Sequence, residues 1–308
     1  MTASREALER RIAELREHPV RPGAPGQNPR GRLLVIGGHE DKEDGRVILR
    51  RLAKLVGDGK LVVATLASES PSAMWETYEP TLRALGVRHL HHLRVERRED
   101  AHEVRALRVL EDATAVFFTG GDQLRITAQV GDTPVFSRIV EIYLAGGIIA
   151  GTSAGASVLS ETMLVGGGAE QSHRIGDALQ LAPGFGFARD MVIDQHFAER
   201  GRIGRLLAVV AQNPRILGVG IDENTAIEVS RGRHLSVLGG GGVTIIDGSR
   251  IAYTNVAEAD RRRTLTVIDA RVHLLSQGDR FDLSTREASS HPAEAIDDEL
   301  GVDAAADD

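Results

Sequence analysis

Gly151-Thr152-Ser153-Ala154-Gly155 matches G-x-S-x-G, a pattern in which a serine sits on a tight turn with its hydroxyl protruding. The run before it, GIIA at 147–150, has the length and apolarity of a buried strand, and the residues after it are small and suit a helix. In that setting the serine can act as a nucleophile. Glycine neighbours permit the strained turn, and the N-terminus of the following helix directs N–H groups toward developing negative charge. A packing turn is the alternative in a chain with 34 glycines.

A nucleophilic serine needs a base, and Asp194-Gln195-His196-Phe197 offers one. A polar cluster closing an apolar strand is costly unless it is hydrogen-bonded, and His196 at such a strand end can serve as a general base. The chain has eleven histidines, so a structural or exposed role is the competing reading. Arg200, Arg202 and Arg205 follow at once. Their guanidinium groups can fork onto substrate carboxylates, or they can line a solvated helix face. Gly220-Ile221-Asp222-Glu223-Asn224-Thr225 places acids after another apolar run. Such acids can orient a histidine by accepting its N–H, or simply form a turn. Gly120-Gly121-Asp122-Gln123 closes the run TAVFFT. Its paired glycines allow a backbone N–H to face an oxyanion, or it starts a helix with Asp122 as the N-cap.

Other chemistries have less support. The chain has no cysteine, which excludes disulfides, thiolate metal sites and a cysteine nucleophile. His89, His91 and His92 invite a zinc reading, with His89 and His91 on one face of a strand, but no HExxH helix accompanies them. No metal and no cofactor is therefore expected. Ile36-Gly37-Gly38-His39 resembles part of a dinucleotide turn without its third glycine, and the glycines at 239–242 lack a following helix.

The elements that must position these groups show in the hydropathy pattern. RLLVI (32–36), KLVVATL (60–66), residues 88–93, TAVFFT (114–119) and GIIA (147–150) read as strands. They alternate with helical patterns starting at Val47 and at 72–85, 101–110, 122–130 and 134–145. This rhythm predicts right-handed βαβ units and an open, mostly parallel sheet with flanking helices. DMVIDQH (190–196), ILGVGID (216–222), TAIEVS (225–230), HLSVLG (234–239), VTIID (243–247) and IAYTN (251–255) read as further strands, with a helix over 200–212. They are expected to be largely antiparallel C-terminal additions.

Residues 1–31 divide into an amphipathic helix over 4–17, with Leu8, Ile12 and Leu15 on one face, and a Pro/Gly-rich arm. Residues 32–288 are expected to form a single α/β hydrolytic domain, and the acidic stretch 289–308 a disordered tail. The net charge of −7 gives no electrostatic reason to expect nucleic-acid binding, and no run is long and apolar enough to span a membrane. The polar N-terminus lacks the apolar segment of a signal peptide, so a cytoplasmic protein is expected.

The segments GGHEDK (37–42), FTGGDQ (118–123), GTSAGA (151–156), IDQHF (193–197) and GIDENTA (220–226) stand in the order found in cyanophycinases. The chain resembles that family over roughly residues 32–280. Cyanophycinases are serine peptidases related to aspartyl dipeptidases, with a flavodoxin-like architecture similar to class I glutamine amidotransferases. The resemblance implies Ser153 as nucleophile, His196 as base and Glu223 as the acid that orients it. It implies Gln123, Asp194, Gln195, Arg200, Arg202 and Arg205 as substrate-binding residues; the elbow geometry suggests the N–H groups of Gly121 and Ala154 as the oxyanion hole. The implied substrate is cyanophycin (multi-L-arginyl-poly-L-aspartate), cut to β-aspartyl-arginine dipeptides, and the implied assembly is a homodimer. Two segments depart from the family pattern: His39 stands where alanine is common, and ATLASES (64–70) replaces a usual T-A-S stretch. A peptidase for short aspartyl peptides, or a non-enzymatic binding module in which GTSAG holds an anion, are the alternatives.

Overall fold

The structure is a computed structural model, and it describes residues 4–23, 27, 31–166, 179–258 and 263–290. The chain opens with α1 (Arg5–Glu17), started by the Ser4 hydroxyl accepting from the Ala7 N–H. The alternating segment follows as β1 (Arg32–Ile36), α2 (Val47–Val56), β2 (Lys60–Ala64), α3 (Pro71–Ala84), β3 (His89–Leu93), α4 (Val104–Val109), β4 (Ala113–Phe118), α5 (Gln123–Val130), α6 (Pro134–Leu144) and β5 (Ile148–Thr152). Next come α7 (Ala154–Ser157), β6 (Thr162–Leu164), β7 (Leu181–Pro183), β8 (Met191–Gln195), α8 (Ile203–Gln212), β9 (Leu217–Ile221), β10 (Thr225–Ser230), β11 (His234–Gly239) and β12 (Val243–Asp247). The described chain ends through β13 (Tyr253–Thr254), β14 (Val267–Ile268), β15 (Arg271–Leu275), β16 (Arg280–Asp282) and β17 (Glu287–Ser289).

The main sheet has the order β17-β16-β11-β10-β1-β5-β4-β2-β3. Pairings from β1 through β5, β4 and β2 to β3 are parallel, as crossover helices require. Those from β1 through β10, β11 and β16 to β17 are antiparallel. The continuous apolar runs follow from burial on both faces. Leu34 and Ile36 of β1 pack with Ile48, Leu52 and Leu82 on the side of α2 and α3. Leu33 and Val35 face the opposite cluster, which contains Leu8, Ile12 and Leu15 of α1 together with Ile139 of α6. Each such fully buried Leu, Ile or Val contributes about 1.5–3 kcal/mol. The first helix therefore packs against its own chain, on α4 and α6. The arm after it is held there by the Val20 N–H donating to Ser137 Oγ at 3.1 Å and by Arg21 paired with Asp132.

Two expectations change. DMVIDQH and ILGVGID do not extend the main sheet; β8 and β9 belong to a second sheet of order β15-β12-β9-β8. They also run parallel, because α8 crosses between them. This sheet turns Ile193, Val219 and Ile221 into the main core and Val192 toward α8. The helix expected over 200–212 begins only at Ile203, since residues 197–201 form turns. The acidic tail lies outside the described residues from residue 291 onward, as do 24–26 and 28–30 of the arm.

Candidate active site

Ser153 follows β5 in the main sheet, His196 follows β8 in the second sheet, and Glu223 lies in the turn that carries the chain from β9 back to β10. All three sit at carboxyl ends of strands, where open α/β sheets present their ligand sites. They are drawn together by the segment that leaves β1. Three successive carbonyls there, of Ile36, Gly37 and Gly38, accept from the N–H groups of Ser153 at 3.1 Å, His196 at 2.8 Å and Asn224 at 2.8 Å. Side chains at 37 and 38 would prevent this. A Cβ on Gly37 would lie 2.0 Å from the Asp222 carbonyl oxygen, and one on Gly38 would lie 2.3 Å from Cε1 of His196. Gly38 also has φ 106, a conformation that favours glycine.

Ser153 has φ 53 and ψ −114, the strained turn expected of an exposed nucleophile, at a cost of order 1–3 kcal/mol. Its Oγ lies 2.8 Å from Nε2 of His196, and Nδ1 of His196 lies 2.6 Å from Oε1 of Glu223. An ionised carboxylate can only accept, so Nδ1 carries the hydrogen and Nε2 offers its lone pair to the serine hydroxyl. The ring of His196 is buried, which lowers its pKa; the bond to Glu223 pushes the other way, and the nearby Arg200 cation adds to the lowering. The net effect keeps the imidazole neutral below the ordinary histidine range. For Glu223, burial raises the pKa, but hydrogen bonds from His196 and His39 outweigh it and hold the carboxyl below its ordinary value.

The neighbouring acid Asp222 is engaged elsewhere, accepting from the N–H groups of Ala198 and Gly242, each at 3.0 Å. The remaining groups of the GGHEDK loop brace the site. Glu40 is buried and accepts from the hydroxyls of Tyr78 at 2.5 Å and Thr152 at 2.6 Å, with Lys42 Nζ at 3.2 Å. Asp41 receives three backbone N–H groups, which lower its pKa to about 2, and its own N–H donates to the Asn224 side chain at 3.0 Å.

Of the expected oxyanion-hole residues, Ala154 directly follows Ser153, while Gly121 lies against Ala67 and follows the glycine that approaches Ser153. A Cβ on the adjoining Gly120 would come within 3.3 Å of Ser153 Cβ, and Ala154 is the first residue of α7. Asp122 does cap α5, accepting from the Leu124 N–H at 2.8 Å. Gln123 uses its amide to hold the Leu164 carbonyl at 2.9 Å.

The three arginines separate. Arg205 is buried and makes a two-pronged ion pair with the buried Asp194, its Nε to Oδ2 distance being 2.7 Å. Arg202 joins Asp194 at 3.2 Å and the side chain of Gln195 at 3.1 Å, and burial pulls its guanidinium down to about 10 against the opposing charge of Asp194. Only Arg200 of the three is exposed. The sequence pattern of three open arginines is thus one open arginine above an internal network.

His39 was not among the sequence-derived site residues. It has φ 47, its side chain is 74 % exposed, and its Nδ1 lies 2.8 Å from Oε2 of Glu223. Its ring meets that of His196 edge-on, with centroids 5.1 Å apart. His89, His91 and His92 form no metal-ligating group among the described residues; His92 instead stacks on Trp75 and pairs with Thr65 Oγ1 at 2.8 Å.

Residues 33–237 match the model of peptidase family S51. A cyanophycinase of Synechococcus elongatus is 38% identical over 261 residues, covering 84% of this chain and 81% of its own length. Those of Trichormus variabilis and Geminocystis herdmanii are 38% and 35% identical, over 82% and 84% of this chain and 86% and 96% of their own. The crystal structure of a peptidase from an acI-B1 Actinobacterium superposes with a TM-score of 0.60 at 23% identity, over 86% of this chain and 98% of that one, and shares its fold.

Proposed function

The chain belongs to peptidase family S51, and we propose that it is a cyanophycinase, a serine-type peptidase that cuts the poly-aspartate backbone of cyanophycin to β-aspartyl-arginine dipeptides. The observation that carries this reading is the continuous relay from Ser153 Oγ through His196 to Glu223, at 2.8 and 2.6 Å, in a chain similar to cyanophycinases over most of its length.

In the proposed reaction the Ser153 oxygen attacks a backbone carbonyl of aspartate while Nε2 of His196 takes its proton. Glu223 stabilises the resulting imidazolium. The tetrahedral oxyanion is held by the N–H groups of Gly121 and Ala154, where donors fixed in advance lower the barrier most. Collapse releases the amine with the proton from His196 and leaves an acyl-enzyme on Ser153. Water, deprotonated by His196, then hydrolyses that ester.

Cyanophycin presents the α-carboxylates and guanidinium groups of its arginines. Arg200, exposed beside His196, is the group we assign to a substrate carboxylate. Gln123 and the Asp194, Gln195, Arg202 and Arg205 network shape the floor of the substrate site. Among the described residues no helix is long and apolar enough to cross a membrane. We take the enzyme to act in the cytoplasm as a homodimer, which light scattering would register as twice the chain mass.

The test is incubation with insoluble cyanophycin and mass spectrometry of the soluble fraction. β-Aspartyl-arginine should appear with the wild-type chain, and its rate should fall by about 10⁴-fold or more in Ser153→Ala. Undiminished release by that variant would overturn the assignment. Cleavage of short aspartyl peptides without any attack on cyanophycin would select the dipeptidase reading.

A further inference from the structure

His39 gives the orienting carboxylate a second imidazole. Nδ1 of His39 approaches Oε2 of Glu223 at 2.8 Å while Nδ1 of His196 approaches Oε1 at 2.6 Å. The ligand atoms of the three side chains all lie within 4.8 Å of one another. Two neutral imidazoles and a carboxylate are a donor set that zinc prefers, with nitrogen and oxygen at about 2.0–2.2 Å. Around a tetrahedral zinc, neighbouring donors stand roughly 3.3 Å apart, so the two hydrogen-bonded spacings would open by about half an ångström while the imidazole nitrogens, within 4.8 Å of each other, draw closer. The necessary movement is available on one side: the side chain of His39 is 74 % exposed, against 4 % for His196.

We propose that His39, His196 and Glu223 bind Zn²⁺ and that its occupation switches hydrolysis off. The proposal rests on the reading of Ser153, His196 and Glu223 as the reacting groups. Its mechanism is a change of tautomer. When Nδ1 of His196 gives its lone pair to zinc, the ring remains neutral and its proton resides on Nε2. Nε2 then has no lone pair with which to accept the Ser153 proton, and the nucleophile stays a hydroxyl. Glu223, bound to the metal, also no longer accepts the imidazole N–H. Water or a carboxylate of the substrate completes the tetrahedron. Arg200 opposes the added positive charge, and the carboxylate of Glu199, which accepts the Glu223 N–H at 3.2 Å, offsets it.

The experiment has a binding arm and a rate arm. Zinc sulfate is titrated by calorimetry into the full chain carrying Ser153→Ala, and into the same chain with His39→Ala added. One zinc per chain is expected in the first, with affinity weakened at least about 100-fold in the second. Thermal melting of both without metal checks that the added substitution leaves the fold intact. In the rate arm the Ser153-containing chain is assayed with zinc and again after EDTA, beside His39→Ala, each with its zinc-free rate as reference. Reversible inhibition that His39→Ala escapes supports the proposal. Absence of a stoichiometric site, equal affinity with and without His39, or full activity at zinc concentrations that saturate the binding arm would overturn it. Failure of the catalytic reading would show separately, as activity persisting in Ser153→Ala while the binding arm still reports on the metal.

Discussion

The carbonyl oxygen of Gly37 accepts the backbone N–H of His196 at 2.8 Å. One residue earlier and one later, the same segment holds Ser153 and Asn224 in the same way. The relative positions of the proposed nucleophile, base and orienting acid are thus set by main chain. Four predictions test parts of this arrangement.

Gly38→Ala should cripple the enzyme without unfolding it. The new methyl would sit 2.3 Å from the His196 ring, at a backbone angle of φ 106 that alanine resists. A displacement of about 1 Å at a reacting group costs on the order of 100-fold in rate. We expect kcat/KM to drop at least that much with an unchanged far-UV circular dichroism spectrum.

The acid limb of the pH–rate profile should lie below the ordinary histidine value of 6.5, because burial lowers the His196 pKa. Activity requires the neutral ring, so it is retained as pH falls to that depressed value and is lost through it. Glu223→Gln removes the partner that raises the pKa of His196 and fixes its tautomer. The limb should move further to acid while kcat falls by about 10²- to 10⁴-fold. A limb at or above 6.5 in the wild-type chain would contradict the burial of the base.

Asp194→Asn and Arg200→Ala should separate support from recognition. Asp194 neutralises the buried Arg205, and removing one partner of a buried ion pair costs about 3–5 kcal/mol. Urea denaturation should register that loss. Arg200 is exposed, so its removal should change stability by less than about 0.5 kcal/mol while raising KM for a carboxylate-bearing substrate. Equal destabilisation by both would refute the distinction.

Glu40→Ala should lower the melting temperature, with a stability loss of about 2–4 kcal/mol. The buried carboxylate receives the hydroxyls of Tyr78 and Thr152, and both would be left without it. Because Thr152 precedes the nucleophile, kcat should fall too, with KM nearly constant. An unchanged melting curve would show that the loop does not depend on this bond.

The candidate groups are legible because each ends an apolar strand, and strand ends are readable from local hydropathy. Ser153 and His196 stand out in this way. The choice between Asp222 and Glu223 comes only from family likeness, because the sequence sets the two acids side by side; in the structure Asp222 is taken up by the N–H groups of Ala198 and Gly242. The burial of Arg205 against Asp194 is not legible in the sequence, because Asp194 belongs to the strand before its helix and no charge pattern marks the pairing. The same limit hid the second sheet. Strand periodicity reports which face is apolar but not which neighbour a strand joins. His39 stands out only as a departure from the family pattern, because its contact with Glu223 depends on a carboxylate far along the chain, and the role of Gly37 and Gly38 lies in carbonyls that every residue type possesses.

Anchoring all three reacting segments to one short stretch also governs when the protein becomes a hazard to its surroundings. During synthesis on the ribosome the serine emerges well before residues 196 and 223, and until the later strands have docked it has neither base nor orienting acid. On the proposed assignment a nascent or half-folded copy is therefore chemically silent, and hydrolytic competence arrives together with the completed tertiary structure.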